Sequence, residues 1–298
     1  MRAIALHRDV IVVTSAILRV NCVIVRASAG LSEDASGAPE QPAEPADAPR
    51  PGTETAARSH EDGESFVIDS PVLPDELDAL PALLEQARFP APSGLLVTHG
   101  DWDHLLGRLA YPGVALGAGE STVERLRASP GEAQRDLRDF DEELMIERAR
   151  PLALGSLQAL AVPGRCAVGE RELELYSASG HTSDGMAVLI PWALVLVAGD
   201  YLSPIELPTL NSGGDLQAYL ATLERLRSLV ANAEHVVPGH GPVLGGDEAL
   251  AVLEEDAVYL QALAERGAEA ELPDGRRGAA QRTLHGENVA TLEGGVPG

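Results

Sequence analysis

Apolar residues along this chain fall into two rhythms. The first is short continuous runs, bounded by glycine, proline or polar residues, rich in Val, Ile and Leu. Such runs read as strands buried on both faces. They predict strands over 10–15 and 19–26, joined as a hairpin, then FVIDS at 66–70 and GLLVTH at 94–99. Further strands are expected near 157–162, 171–177, 186–190 and 193–198, and at HVVP before Gly239. The second rhythm is helical. Pro74 and Asp75 signal a helix start, and Leu77, Leu80, Leu83 and Leu84 follow at helical spacing. Residues 118–148 look helical and highly charged. Leu216, Tyr219, Leu220, Leu223, Leu226 and Leu229 mark another helix, and residues 247–266 a further one. A strand, a helix and a second strand in succession imply a crossover and a parallel pair, hence an α/β sheet.

Two stretches break the pattern. Residues 30–64 hold five prolines, nine acids against Arg50 and Arg58, and almost no large apolar side chain. Such a segment cannot bury enough surface to offset its ordering entropy, so a disordered insertion between two strands is expected. Beyond Glu271 the periodicity fades. The expected organisation is one domain over 1–266, interrupted at 30–64, with a C-terminal extension over 267–298 for which a helix is the open reading. The apolar run at 10–25 is too short for a membrane span and is broken by Arg19 and Asn21. Its Val, Ile and Thr content favours strands over a signal peptide ending near Ala29.

Composition narrows the function. The formal net charge is −24, and all 22 basic residues are Arg. An acidic surface repels phosphate backbones and anionic bilayers, so neither nucleic acid nor membrane is an expected partner. Aromatics at 3% leave few platforms for stacking bases. Cys22 and Cys166 are too few for a disulfide scaffold or a four-cysteine metal site. A cytoplasmic location with reduced thiols is the expectation. A small-molecule partner is expected, and a homo-oligomer stays open.

The candidate chemistry begins at residues 98–104, THGDWDH, directly after an apolar strand. His99, Asp101, Asp103 and His104 sit within six positions. Such groups converging would desolvate and repel one another unless a cation lay between them, and a divalent metal pair is the natural filler. The alternative for any lone His is a satisfied core or surface residue. His181 in SGHTSDGM, Asp200 in LVLVAGDY and His240 in VVPGHGP each follow or separate predicted strands. Strand-to-loop junctions are where open α/β sheets put their sites. The flanking Gly180, Gly199, Gly239 and Gly241 let the backbone turn sharply.

These blocks, in this order, resemble the metallo-β-lactamase superfamily over nearly the whole chain. The match consists of a strand ending in Asp69, the HxxxDH block, GHTSD, a strand ending in GD, and PGHG. The resemblance implies a four-layer αββα sandwich with a metal site at one edge of two sheets. It implies that His99, Asp101 and His181 form a first metal site and Asp103, His104 and His240 a second. Asp200 then bridges the two, and Asp69 behind them orients the ligand loop. Cys is absent from the bridging position, unlike the main dizinc β-lactamases.

One departure stands out. The superfamily's usual motif is HxHxDH, and here its middle residue is Asp101. Two zinc ions per chain are the first expectation, with iron or manganese as the alternative, because an oxygen-rich shell suits harder ions. A single occupied site also remains open. The implied function is a metallo-hydrolase of a small ester, thioester or lactone, in which metal-activated water attacks the carbonyl and Asp103 handles the proton. An iron-dependent oxidoreductase of persulfide dioxygenase or diiron type, and a non-catalytic binding protein, are the alternatives. Substrate contacts are expected from Tyr201, and from Arg282 and His285 in the basic tail, where Arg276 and Arg277 also lie. Those cations would suit an acidic coenzyme A or glutathione adduct. Trp102 either walls the pocket or packs beneath the loop.

Overall fold

The computed structural model describes residues 1–27, 63–211 and 213–294. Thirteen strands form two sheets among the described residues. The first sheet holds β1 (Arg2–His7), β2 (Val10–Thr14), β3 (Asn21–Ala27), β4 (Glu64–Ile68), β5 (Gly94–Leu96), β6 (Ala115–Gly119) and β7 (Leu157–Leu160), in that spatial order. The second runs from β13 (Leu244–Gly245) through β12 (His235–Pro238), β11 (Val195–Gly199), β10 (Met186–Ile190) and β9 (Arg171–Ser177) to β8 (Gly164–Val168).

The expected hairpin is present: β2 and β3 pair antiparallel, and β1 extends it. The expected crossover is present too. Helix α1 (Pro74–Ala87) links β4 to β5, which pair parallel. Beyond it lie the short α2 (Gly107–Ala110), α3 (Glu120–Ala128) and α4 (Glu132–Leu144). The second half carries α5 (Leu216–Asn232), α6 (Gly246–Arg266) and α7 (Ala279–Leu292). Asp215 caps α5, its carboxylate accepting the Ala218 N–H at 2.7 Å.

Three apolar cores separate the layers. Ile24, Val67 and Leu95 on one face of the first sheet meet Leu77, Leu80, Val123 and Leu137 of the helices over it. Leu196 and Val236 of the second sheet meet Tyr219, Leu223, Leu226, Leu253 and Leu260. Between the sheets, Val12, Val23, Val25 and Ile68 face Leu175, Val188, Val195 and Val237. The chain is therefore a four-layer αββα sandwich. Both faces of the central strands are covered, which is why they read as unbroken apolar runs rather than alternations.

Most of the 30–64 insertion lies outside the described residues. Its last residue does not belong to it: Glu64 opens β4, pairing with Ala27, and its carboxylate accepts the Gly169 N–H at 3.2 Å. The expected strands at 66–70 and 94–99 end earlier, at Ile68 and Leu96. The residues after them turn away to build the site. No described helix is long and apolar enough to cross a membrane.

Candidate metal centre

The C-terminal ends of β4, β5, β11 and β12 and the N-terminal end of β10 meet at one edge of the sandwich. Loops leaving that edge carry every His and Asp of the expected site. Asp69, just past β4, takes a left-handed backbone (φ 57°). Its carboxylate accepts the Thr98 N–H at 2.8 Å and the Thr98 hydroxyl at 2.9 Å. Asp69 Oδ2 also lies 3.0 Å from His104 Nδ1. Asp69 thereby clamps the start of the loop after β5 and one imidazole within it. That loop tightens into a single 3-10 turn over Trp102–His104. Thr98 spends its one hydroxyl hydrogen on Asp69, so its oxygen accepts from His99 Nδ1 at 3.1 Å.

His181 enters from the loop between β9 and β10. Its Nδ1 lies 3.0 Å from the Thr209 carbonyl, and its backbone N–H donates to the Tyr201 hydroxyl at 3.1 Å. Gly180 beside it has φ 134°, and any Cβ there would overlap the Tyr219 backbone. His240 follows β12, with Nδ1 2.8 Å from the Leu18 carbonyl. Asn21 ties the two sheets together here, its side-chain amide donating to Pro238 and Gly241 carbonyls at 2.8 and 2.9 Å. Gly239 has no room for a side chain, since a Cβ would overlap Asp200 Oδ1.

His99, His181 and His240 each bond a protein oxygen through Nδ1, His104 Nδ1 lies against the Asp69 carboxylate, and all four turn Nε2 inward, as in metal-binding imidazoles. Asp200, one residue past β11, stands among all four. Its oxygens lie 3.1 Å from His104 Nε2, 3.3 Å from His181 Nε2, 3.4 Å from His240 Nε2 and 3.8 Å from His99 Nε2. Asp101 Oδ2 lies 3.6 and 3.5 Å from His99 and His181 Nε2, and Asp103 Oδ2 3.4 Å from His240 Nε2. Three overlapping groups have donor atoms spaced for a metal ion: His99 with Asp101 and His181, His99 with His104 and Asp200, and Asp103 with His104 and His240.

The electrostatics ask for a cation. Burial would raise the Asp200 carboxyl, yet His240, His104 and His99 hold it well below the usual range. Burial would lower His240, but Asp200, Glu206 and Asp103 push it up to about 10. His99 Nε2, His104 Nε2 and Asp200 Oδ1 are buried without a hydrogen-bond partner. Buried donor atoms left unpaired around one point are costly unless a metal completes them, so this residue set fits a divalent metal.

The structure also supplies two partners that the sequence did not single out, Arg125 and Asp184. Arg125 of α3 binds Asp101 Oδ1 at 2.7 Å and Asp184 at 2.8 Å, and Asp184 accepts the Gly100 N–H at 3.0 Å. Asp101 therefore divides its oxygens, one toward Arg125 and one toward the imidazoles. Asn211 reinforces the second, its amide 3.1 Å from Asp101 Oδ2. Nothing in the charged run at 118–148 distinguishes Arg125 from its neighbours. Asp184 stands in the SGHTSDGM block, where its position alone suggested no role.

The site opens into a cleft of about 850 Å³. Leu18, Trp102 and Leu284 supply apolar wall, while Glu132, Asp136 and Glu206 supply acids. Trp102 fills both expected roles, lining the cleft and packing on Phe140 with ring centroids 4.6 Å apart. Burial, Glu132 and Asp101 raise the Asp136 carboxyl above the usual range.

Three expected substrate residues do not reach this cleft. Tyr201 is 3% exposed, packs on Tyr219, and gives its hydroxyl to the Ala178 carbonyl. Its hydroxyl shapes the His181 loop instead. Arg282 donates to the Arg277 carbonyl, and His285 is held by Tyr259 and the Ala268 carbonyl. Helix α7 does border the cleft, but through Leu284 and Thr291. Arg276 is not a surface cation. It is buried, binding Asp256 at 2.6 Å and the carbonyls of Ser203 and Glu206.

No protein-family model and no curated protein sequence matches the chain. Solved structures do. A metallo-beta-lactamase family protein from Thermus thermophilus aligns with TM-score 0.63 at 19% identity, covering 98% of both chains. A metallo-beta-lactamase from Pontibacter korlensis aligns with TM-score 0.55 at 16% identity, over 85% of this chain and 98% of that one. DIM-1 metallo-beta-lactamase aligns with TM-score 0.53 at 15% identity, over 85% and 96%. The chain has the metallo-β-lactamase fold.

Proposed function

We propose that this protein is a metal-dependent hydrolase of small carbonyl substrates, of the ester, thioester or lactone class. The observation that carries this reading is Asp200 lying within 3.8 Å of four inward-facing imidazoles at the floor of an open cleft. His99, Asp101 and His181 would hold one ion, and Asp103, His104 and His240 a second, with Asp200 shared. A bound divalent metal supplies an acidified water and a Lewis acid for the carbonyl oxygen. The chain's own residues do the rest. Asp69 and Thr98 keep the ligand loop in place, and Arg125 and Asn211 fix the Asp101 carboxylate. Asp103 sits at the cleft floor, where its carboxylate can take a proton from water and pass it to the leaving group. Leu18, Trp102 and Leu284 offer an apolar wall to the substrate.

His181→Ala removes a proposed ligand from a loop that Tyr201 and the Gly180 turn still hold. It is expected to abolish turnover across a panel of esters, thioesters and lactones, with an unchanged circular dichroism spectrum. Turnover equal to wild type, at verified metal content, would refute the site. A second reading, iron-dependent oxidation, is favoured by one observation. Asp101 and Asp200 together make the first ligand set rich in oxygen, which suits iron or manganese. Oxygen uptake by iron-loaded protein, without ester hydrolysis, would select it.

A further inference from the structure

Between β11 and α5 the described residues form no helix or strand. This irregular stretch carries groups that steer the first ligand set. The Thr209 carbonyl lies 3.0 Å from His181 Nδ1, and the Asn211 amide lies 3.1 Å from Asp101 Oδ2. A carbonyl can only accept, so it keeps the hydrogen on Nδ1 and leaves the Nε2 lone pair to face inward. A backbone without regular structure has to find partners elsewhere for its own N–H and C=O groups.

Many of those partners come from the C-terminal tail. Arg276 donates to the Ser203 and Glu206 carbonyls at 3.1 and 2.8 Å, and Gln281 to the Ile205 carbonyl at 2.7 Å. Asn288 of α7 makes the most specific hold. Its Oδ1 accepts the Leu210 N–H at 2.9 Å. Its Nδ2 donates to the Pro208 carbonyl at 2.7 Å and to the Tyr259 hydroxyl at 3.1 Å. One side-chain amide thus grips the backbone on both sides of Thr209, as a neighbouring strand would. Asn288 is 1% exposed, and both of its amide hydrogens are used. Leu207 and Leu210 already seat the loop in the apolar core, so burial alone holds it down. What the amide adds is the orientation of the Thr209 peptide.

We propose that Asn288 is a positioning residue for the candidate metal centre. Through the Thr209 peptide it sets the His181 imidazole, and with it the metal affinity of the group formed by His99, Asp101 and His181. This rests on the metal-centre reading above. The other group lies beyond its reach. His240 Nδ1 is set by the Leu18 carbonyl, and His104 Nδ1 faces Asp69. A change at Asn288 therefore weakens one group and spares the other, which a general loosening of the tail would not do.

The test titrates metal-free full-length protein with Co2+, followed by calorimetry and by the visible absorption of the bound ion. His181→Ala identifies the binding event that belongs to the first group. Asn288→Ala should weaken that event by about 10–100-fold, the usual scale for losing an outer partner of a metal ligand, and alter its absorption. Asn288→Asp keeps an acceptor for the Leu210 N–H and loses the donor to Pro208, so it should fall between wild type and Asn288→Ala. Val289→Ala is the control. Val289 packs on the apolar core one residue along the same helix, so its truncation should lower Tm and leave the affinities unchanged. Hydrogen exchange of metal-free protein, read by mass spectrometry, adds a readout that needs no metal. Exchange over 203–211 should be faster in Asn288→Ala than in Val289→Ala. Equal exchange in the two variants, equal weakening of both binding events, or weakening matched by Val289→Ala would show a merely structural tie and overturn the inference. Unchanged affinity in both Asn288 variants overturns it as well and leaves the metal centre standing. Wild-type protein that takes up no Co2+ sinks the metal-centre reading and the inference with it.

Discussion

At Asp101 two demands meet in one side chain. Its Oδ2 faces His99 and His181, while its Oδ1 is held by Arg125. Arg125 offsets part of the negative charge that a second carboxylate brings to the first ligand group, and it fixes the rotamer. A carboxylate so fixed is a harder donor than an imidazole and shifts preference toward iron or manganese. Asp101→His should move metal content toward zinc, read by elemental mass spectrometry of protein purified in mixed metals. Identical metal content in both forms would show that Asp101 does not select the ion. The candidate ligands themselves were legible because each group of them follows or separates strands, so a local pattern locates it. Arg125 and Asp184 were not, because 59 residues separate them and only the folded loop brings both to Asp101 and Gly100.

Among the elements, buried runs were easy to find and thin ones were not. β2, β3, β10 and β11 are apolar on both faces and announce themselves. β1 mixes exposed and half-buried residues at the sheet edge, and β6 is ALGAG, so neither carries a strong strand signature. The C-terminal tail beyond Glu271 shows no clear period in the sequence. Its stabilising contacts are single polar residues rather than an apolar stripe. Asn288 accepts the Leu210 N–H at 2.9 Å and donates to the Pro208 carbonyl at 2.7 Å. Arg276 reaches from the segment before α7 to Asp256 of α6 and to the loop carrying Glu206. Arg276→Ala leaves Asp256 buried without its counter-ion, a change that typically costs about 3–5 kcal/mol. The expected result is that much loss in urea unfolding, with partial recovery when Asp256→Leu is added. A loss under about 1 kcal/mol would mean the pair acts as an exposed one and does not hold the loop.

For the whole molecule, the candidate site joins two halves that otherwise meet mainly through an apolar layer, with a few polar ties such as Asn21. His99, Asp101, Asp103 and His104 leave the first sheet, while His181, Asp200 and His240 leave the second. The αββα arrangement brings their donor atoms to one edge, where burying so many polar groups costs desolvation. A metal held by ligands from both sheets would reverse that term. A ligand that binds only the folded state stabilises it by about 4 kcal/mol when its free concentration is a thousandfold above Kd. For chains of this size each kcal/mol is worth roughly 2–4 °C in Tm. Chelation should therefore lower Tm by roughly 8–16 °C, and readdition of metal should restore it. Asp200→Asn, which weakens the one carboxylate shared by both halves, should shrink the shift. An unchanged Tm after metal is shown to be gone would mean that the apolar layer between the sheets closes this edge unaided. The ligand cluster would then serve chemistry without holding the two halves together.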